Sequence, residues 1–240
     1  TVEQTINKWV RGELVRTAAQ VTTALDSCGF DGATAALYRF IWNVYCDWYL
    51  ELAKPILNGT DEAAKAETRA MVAWTLDQIL VLLHPVMPFI TEELWARTAE
   101  EGGPARAGLL IAQRWPAYED SWVDAGAEAE IGWLVDLVTE IRSIRAEMNV
   151  PPGARVPLTL SGAGPETLAR LERHRDLLLT LARLDSAAPG EAPAGSVPFV
   201  TGEATAALAI ADCIDLIAER ARLTKEIAGH DADIERVNRK

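Results

Sequence analysis

Residues 37–54 read Leu-Tyr-Arg-Phe-Ile-Trp-Asn-Val-Tyr-Cys-Asp-Trp-Tyr-Leu-Glu-Leu-Ala-Lys. At about 100° per residue, Leu37, Ile41, Val44, Trp48 and Leu52 share one face of a helix. Tyr38, Trp42, Tyr45 and Tyr49 form a second stripe beside it. Only a narrow strip remains for Arg39, Asn43, Asp47 and Lys54. A helix apolar over that much of its circumference needs neighbours on two sides, so it predicts the middle of a helical bundle. The strip reads two ways: as a solvated face, or as hydrogen-bonding groups presented by a rigid scaffold.

A second constraint is Leu83-His84-Pro85-Val86-Met87-Pro88-Phe89-Ile90. Each proline lacks an N–H and disfavours helix at the residue before it. A helix therefore ends near Leu83, and Thr91 is expected to cap a short new one, to about Thr98, with Glu92 and Glu93 in its first turn. The apolar residues between the prolines predict a packed kink.

The rest of the bundle follows from periodicity. Ile6, Val10, Leu14, Val21 and Leu25 predict a helix over 2–27, with Gly29 as its C-cap, and Asp31 is expected to cap the central helix, which runs to Ala53 before Pro55. Asp61 opens a third helix, on which Met71, Ile79, Leu82 and Leu83 line one face. Residues 100–124 read as irregular. Asp124 caps a helix over 126–148 whose core stripe is Leu134, Val138, Ile141, Ile144 and Met148. Arg142, Arg145 and Asn149 fall on an adjacent face. They read either as cations drawn to a helix C-terminus or as a basic contact surface.

Pro151-Pro152-Gly153 marks a boundary. Beyond it Val156, Leu158 and Leu160 alternate as a half-buried strand does. A helix starts at Pro165, residues 185–196 are expected to be mobile, and 197–200 and 206–210 are candidate strands. From Asp212 the pattern is helical, and Leu223, Ile227, His230, Ile234 and Val237 make a short a/d seam. The fold class is therefore mainly α. A helical bundle (1–150) is followed by a small α+β subdomain (151–211) and the beginning of a C-terminal coiled coil (212–240).

Three of these segments carry a resemblance. Trp42–Lys54 with Cys46-Asp47-Trp48-Tyr49-Leu50-Glu51, the run Leu83–Trp95, and Ile141–Pro152 resemble the anticodon-binding helical domain of class I aminoacyl-tRNA synthetases. Within them the likeness is to the valyl-tRNA synthetase family of bacteria, and it runs from about Asn7 to the end. The resemblance implies a parent enzyme that ligates valine to its tRNA using ATP. The family's His-x-Gly-His and Lys-Met-Ser-Lys-Ser signatures do not occur in this chain, so no catalytic residue and no cofactor is expected within it. The function left is to bind RNA, by stacking and hydrogen bonds to the splayed bases of the tRNA(Val) anticodon loop. The bases implied are adenine and cytosine.

Within the recognised domain the candidate contacts are Arg39, Asn43 and Asp47 on the central helix, Trp9 and Arg16 on the first, and Arg142, Arg145 and Asn149 on the last. Each has an alternative as an intra-bundle hydrogen bond or ion pair. Arg220, Arg222 and Lys225 are candidate phosphate contacts near the coiled coil.

Charge weighs against this reading. The formal net charge is −12, with 10 basic and 17 acidic residues over 1–125 and 13 and 18 over 126–240. RNA contact must come from local arginine clusters rather than global attraction. The rival is a helical protein-interaction module, or the equivalent domain of an isoleucyl enzyme, which usually ends in a cysteine-bearing zinc module. Three scattered cysteines (Cys28, Cys46, Cys213) and three scattered histidines argue against a disulfide framework and a metal site. A cytoplasmic location fits, with no membrane or DNA partner and a monomeric parent. The chain starts at Thr1 without Met, which suits a fragment.

Overall fold

In the computed structural model, residues 2–214 and 216–238 are described. The chain divides into two compact units, Thr1–Gly132 and Trp133–Lys240.

The first unit is helical. Helix α1 (Thr5–Asp26) buries Ile6, Trp9, Val10, Leu14, Val15 and Val21. Its end is closed by Cys28 at φ 58° rather than by Gly29, and the Gly29 N–H reaches the Ala24 carbonyl at 2.7 Å. Helix α2 (Phe30–Arg39), a π-helical run (Phe40–Tyr49) and α3 (Leu50–Asn58) then follow with helical backbone angles at both junctions, so they form one continuous rod. This rod begins at Phe30 without a side-chain cap from Asp31, and it runs through Pro55 instead of stopping at Ala53. Asp61 caps α4 (Glu62–Leu83) as its position predicts, accepting from the Ala63 and Ala64 N–H groups at 3.0 and 3.1 Å.

Helix α5 (Pro88–Glu100) starts three residues earlier than expected, with Pro88 in its first turn, where a missing N–H costs nothing. Thr91 is therefore buried inside the helix and is not its cap. Its hydroxyl donates to the Met87 carbonyl at 2.8 Å and shares a hydrogen bond of 2.7 Å with His84 Nδ1, which packs the kink. Residues 101–124 hold two short 3-10 turns, Leu110–Ala112 and Asp120–Trp122. They are tied down by Arg106, which grips Asp77 through two bonds of 2.7 and 2.8 Å and lies 3.7 Å over the Trp95 ring. Asp124 accepts from the Ala127 N–H at 2.9 Å and opens α6 (Ala125–Glu147).

The division between the units falls within α6, ahead of the Pro151-Pro152-Gly153 boundary read from sequence. The reason lies in its last turns, where Arg142 and Arg145 donate to carbonyls of residues 151–183. The second unit contains a sheet of order β2-β1-β4-β3. Its strands are β1 (Val156–Ser161), β2 (Leu184–Pro189), β3 (Ser196–Thr201) and β4 (Ala204–Ala209). Helices α7 (Pro165–Arg173) and α8 (Arg175–Leu181) connect β1 to the parallel β2. Strand β2 replaces the expected mobile segment with regular structure over 185–189. Its Ala- and Pro-rich sequence has little β propensity, and the ladder with β1 supplies what propensity does not. Helix α9 (Leu216–Asn238) leaves Ile227, Ile234 and Val237 exposed, so the expected seam is unpaired among the described residues; the side chain of Leu223 lies outside them.

Candidate nucleic-acid interface

The π-helical run decides which side of the rod is buried and which faces outward. A π-helix bonds i to i+5, so each turn takes up more residues than an α-turn. The buried residues become Phe40, Tyr45 and Tyr49, not Ile41, Val44 and Trp48. Two hydroxyls lock that register. Tyr45 donates to the Val72 carbonyl at 3.1 Å, and Tyr49 donates to Asn7 Oδ1 at 2.8 Å. Asn7 is itself buried and donates to Glu67 Oε1 at 2.8 Å and Thr68 Oγ1 at 3.2 Å. Burial pushes the Tyr45 phenol up to about 12 and raises that of Tyr49 further. Burial, then the Asp47 charge, also raises the Cys46 thiol, so it stays protonated at neutral pH.

Tyr38, at the end of α2, and Trp42, in the π-helical run, face outward, with 62% and 52% of their surface exposed. Their rings lie 6.4 Å apart at 48°. The sequence places both in the core, and the structure corrects this. The misleading signal was total apolar coverage; the useful one was an aromatic pair four residues apart, flanked by a polar row at the same spacing. That row is Arg39, Asn43 and Asp47, all three exposed. Among the described residues no side-chain hydrogen bond or ion pair engages any of them. The face thus offers two flat apolar rings, a guanidinium fork, an amide that both donates and accepts, and a carboxylate that accepts. Those are the groups that stack on unpaired bases and bond to their edges.

The two candidates on α1 lie elsewhere. Trp9 is only 7% exposed and packs in the core, so its ring is not available to a base. Its apolar bulk outweighed the polar indole tip. Arg16 is on the surface but faces two carboxylates. Its guanidinium bonds Glu128 through both terminal nitrogens and lies 3.5 Å from Glu13. The Glu128 bond raises the Arg16 pKa, and burial raises that of Glu13. Arg16 is a cation already neutralised.

In the second unit, Arg142, Arg145 and Asn149 do different work. Arg145 is 7% exposed and donates to the carbonyls of Ala154 (2.8 Å), Pro151 (3.3 Å) and Arg183 (3.5 Å). It clamps the chain leaving α6. Asn149 adopts φ 52° and closes that helix, with the Val150 N–H bonded back to the Arg145 carbonyl at 2.9 Å. Arg142 is exposed and donates twice to the Leu181 carbonyl, at 3.2 and 3.0 Å. The basic face read from sequence is therefore largely a tertiary clamp.

Among the described residues no cluster of three or more His, Cys, Asp or Glu side chains could hold a metal, and no helix is long and apolar enough to cross a membrane.

Residues 7–160 match the family described as the anticodon-binding domain of tRNA ligase. The chain belongs to that family. Among similar proteins, the valine–tRNA ligase of Caulobacter vibrioides is 68% identical over 241 residues, which cover all of this chain and 26% of that protein. The valine–tRNA ligase of Agrobacterium fabrum is 51% identical over 241 residues, covering all of this chain and 25% of that protein. That of Nitrobacter winogradskyi is 49% identical over 265 residues, covering 99% of this chain and 27% of that protein. The chain thus spans about a quarter of the length of the curated relatives it matches. The anticodon-binding helical bundle, with the α+β part after it, agrees with the fold class read from sequence.

Proposed function

We propose that this chain is the tRNA-binding part of a valine–tRNA ligase and that the outward face of the π-helical run reads the anticodon loop of tRNA(Val). The observation that carries the reading is that face: Tyr38 and Trp42 exposed beside an unengaged Arg39, Asn43 and Asp47. A base stacks on Trp42 or Tyr38, and the polar row bonds its edge. Asn43 suits an adenine edge and Asp47 accepts from the exocyclic amine of cytosine. Asp47 also places a negative charge near RNA, so the geometry favours a base contact over a phosphate for it. Trp9, Arg16, Arg145 and Asn149 are left out of this surface.

In the whole protein, the ligation of valine to tRNA(Val) with ATP takes place on residues outside this chain. The chain itself contributes no catalytic group and needs no cofactor. A cytoplasmic, monomeric enzyme is the setting this reading fits. The rival, a helical protein-interaction module, has no account for two exposed aromatic rings aligned with base-reading groups. The family match also favours RNA.

The test is fluorescence anisotropy of a labelled tRNA(Val) anticodon stem-loop titrated with the chain at low salt, beside a loop with its middle base changed. Tighter binding to the valine loop, weakened by Trp42→Ala and Arg39→Ala, supports the reading. Equal affinity for both loops, unaffected by either substitution, refutes it.

A further inference from the structure

We propose that the outward face of α5 and the adjoining 3-10 turn Leu110–Ala112 form a docking surface for a part of the parent polypeptide outside residues 1–240. Its occupant is an apolar element with a lysine or arginine at its edge. The proposal rests on the reading of the chain as part of a valine–tRNA ligase, and it uses none of the residues assigned to the anticodon loop.

Three observations carry it. The first is how little of α5 is buried. Of its 13 residues Thr91 alone is buried. Phe89 is 91% exposed, and Ile90 and Leu94 are exposed as well. A helix of this length is marginal on its own in water, and a surface helix normally turns its apolar stripe inward.

The second is the way α5 and the turn are joined. Phe89, Ala96, Leu109 and Ile111 line one groove, with Leu109 and Ile111 63% and 71% exposed. Glu92 accepts from the Leu110 and Ile111 N–H groups at 2.7 and 3.2 Å. The Trp95 indole donates to the Gly108 carbonyl at 3.2 Å, and Arg106 Nε donates to the Trp95 carbonyl at 3.0 Å. These bonds hold the turn against the helix, so the Phe89 ring and the two aliphatic side chains are presented on one fixed frame. Such preorganisation lowers the ordering cost of association. His84 lines the same groove, and its buried Nε2 makes no hydrogen bond among the described residues.

The third is what this surface can accept. Monomeric proteins rarely leave a contiguous apolar patch open unless it is an interaction site. Glu92 and Glu93 line the groove and no lysine or arginine does, so it repels RNA phosphates. It suits a protein element that brings aliphatic or aromatic side chains with a cation beside them. The chain spans about a quarter of the length of the curated relatives it matches, so in proteins of that kind most of the polypeptide lies outside the matched part and is tethered to it. Tethering supplies a high effective concentration, and a small groove is then sufficient.

Hydroxyl-radical footprinting read by mass spectrometry tests this on the 240-residue chain and on the full-length protein that contains it, both without tRNA. In the chain, Phe89, Leu109 and Ile111 are expected to be oxidised as exposed side chains. In the full-length protein their oxidation is expected to fall several-fold, while Tyr38 and Trp42 react equally in both. Equal oxidation of Phe89, Leu109 and Ile111 in the two proteins overturns the proposal. Protection that grows with the concentration of the 240-residue chain assigns the face to a second copy, and protection that needs added tRNA(Val) assigns it to RNA; either result also overturns it. Phe89→Glu gives a second readout. A carboxylate in the first turn of α5 suits the helix dipole, so the melting midpoint of the 240-residue chain should not fall. In the full-length protein the same substitution should return Leu109 and Ile111 to the oxidation seen in the chain, and continued protection there goes against the contact. Loss of the loop discrimination expected of Trp42, with Phe89 still protected in the full-length protein, sinks the anticodon reading and leaves this one standing.

Discussion

The Tyr49 hydroxyl donates to Asn7 Oδ1 at 2.8 Å, joining the π-helical run to the first helix in a site closed to water. Because Asn7 is fully buried, Tyr49→Phe leaves its acceptor without a partner. Loss of about 1–3 kcal/mol is expected in urea unfolding of the chain. A midpoint identical to wild type would falsify the role of this bond in holding the register.

The outward rings should behave in the opposite way. Trp42→Ala and Tyr38→Ala remove exposed surface and are expected to change stability by no more than about 0.5 kcal/mol. Loss of a stacked base costs about 1–3 kcal/mol, so Trp42→Ala should weaken stem-loop binding by roughly 5- to 150-fold. Tyr45→Ala, only three residues from Trp42, should instead cost about 3–5 kcal/mol of stability, the range for truncating a buried aromatic ring. Calorimetry and anisotropy on the same samples separate the two effects, and a Trp42→Ala protein that melts early contradicts the exposed placement.

Arg106 and Asp77 are both largely buried and share two bonds. Asp77→Ala strands the guanidinium, with an expected cost of about 3–5 kcal/mol. Paired replacement of both residues by apolar ones of similar volume should recover much of that loss. A single mutant as stable as the double mutant goes against the stranded-charge account.

The Glu67 carboxylate gives the first unit an acid dependence. Burial raises its pKa, but bonds from Asn7 and from the Gln4 and Glu3 N–H groups outweigh this and hold it below the usual 4.5. A folded pKa below the unfolded one stabilises the protein above about pH 4.5, and that stabilisation is lost as pH falls through the folded value. Glu67→Gln should flatten the stability profile below pH 4.5 and lower its neutral plateau. At the alkaline end, Tyr45 is protonated up to about 12, so its contribution is present below the ordinary value of 10.0 and lost as pH rises through 12. Chemical denaturation across the pH range reads both limbs.

Arg145→Ala should be a folding mutant. It frees the carbonyls of Pro151, Ala154 and Arg183 together, so the melting temperature is expected to fall before any RNA effect is seen. RNA affinity lost by a protein that melts like wild type would restore Arg145 as a direct contact.

Much of this protein is legible one residue at a time. Asp61 begins its helix where its side chain reaches two orphan N–H groups, Asp124 where its side chain reaches one, and Val156-Leu160 alternates because a strand does. The runs 42–54 and 83–95 identify the family because they are long and ungapped. What the sequence could not determine was rotation and charge pairing. A helical wheel assumes an α-turn and puts Tyr38, Trp42, Tyr45 and Tyr49 on one stripe, whereas the rod with its π-helical run buries Tyr45 and Tyr49 and leaves Tyr38 and Trp42 exposed. Arginines at helical spacing look alike on paper. Tertiary structure gives Arg16 a carboxylate, gives Arg145 three carbonyls, and leaves Arg39 and Arg183 without a partner among the described residues. Strand β2 likewise exists because β1 offers it a ladder, not because its own residues favour one. Local chemistry starts and stops elements, whereas which side chains meet depends on segments distant in the chain, and only the folded packing decides that.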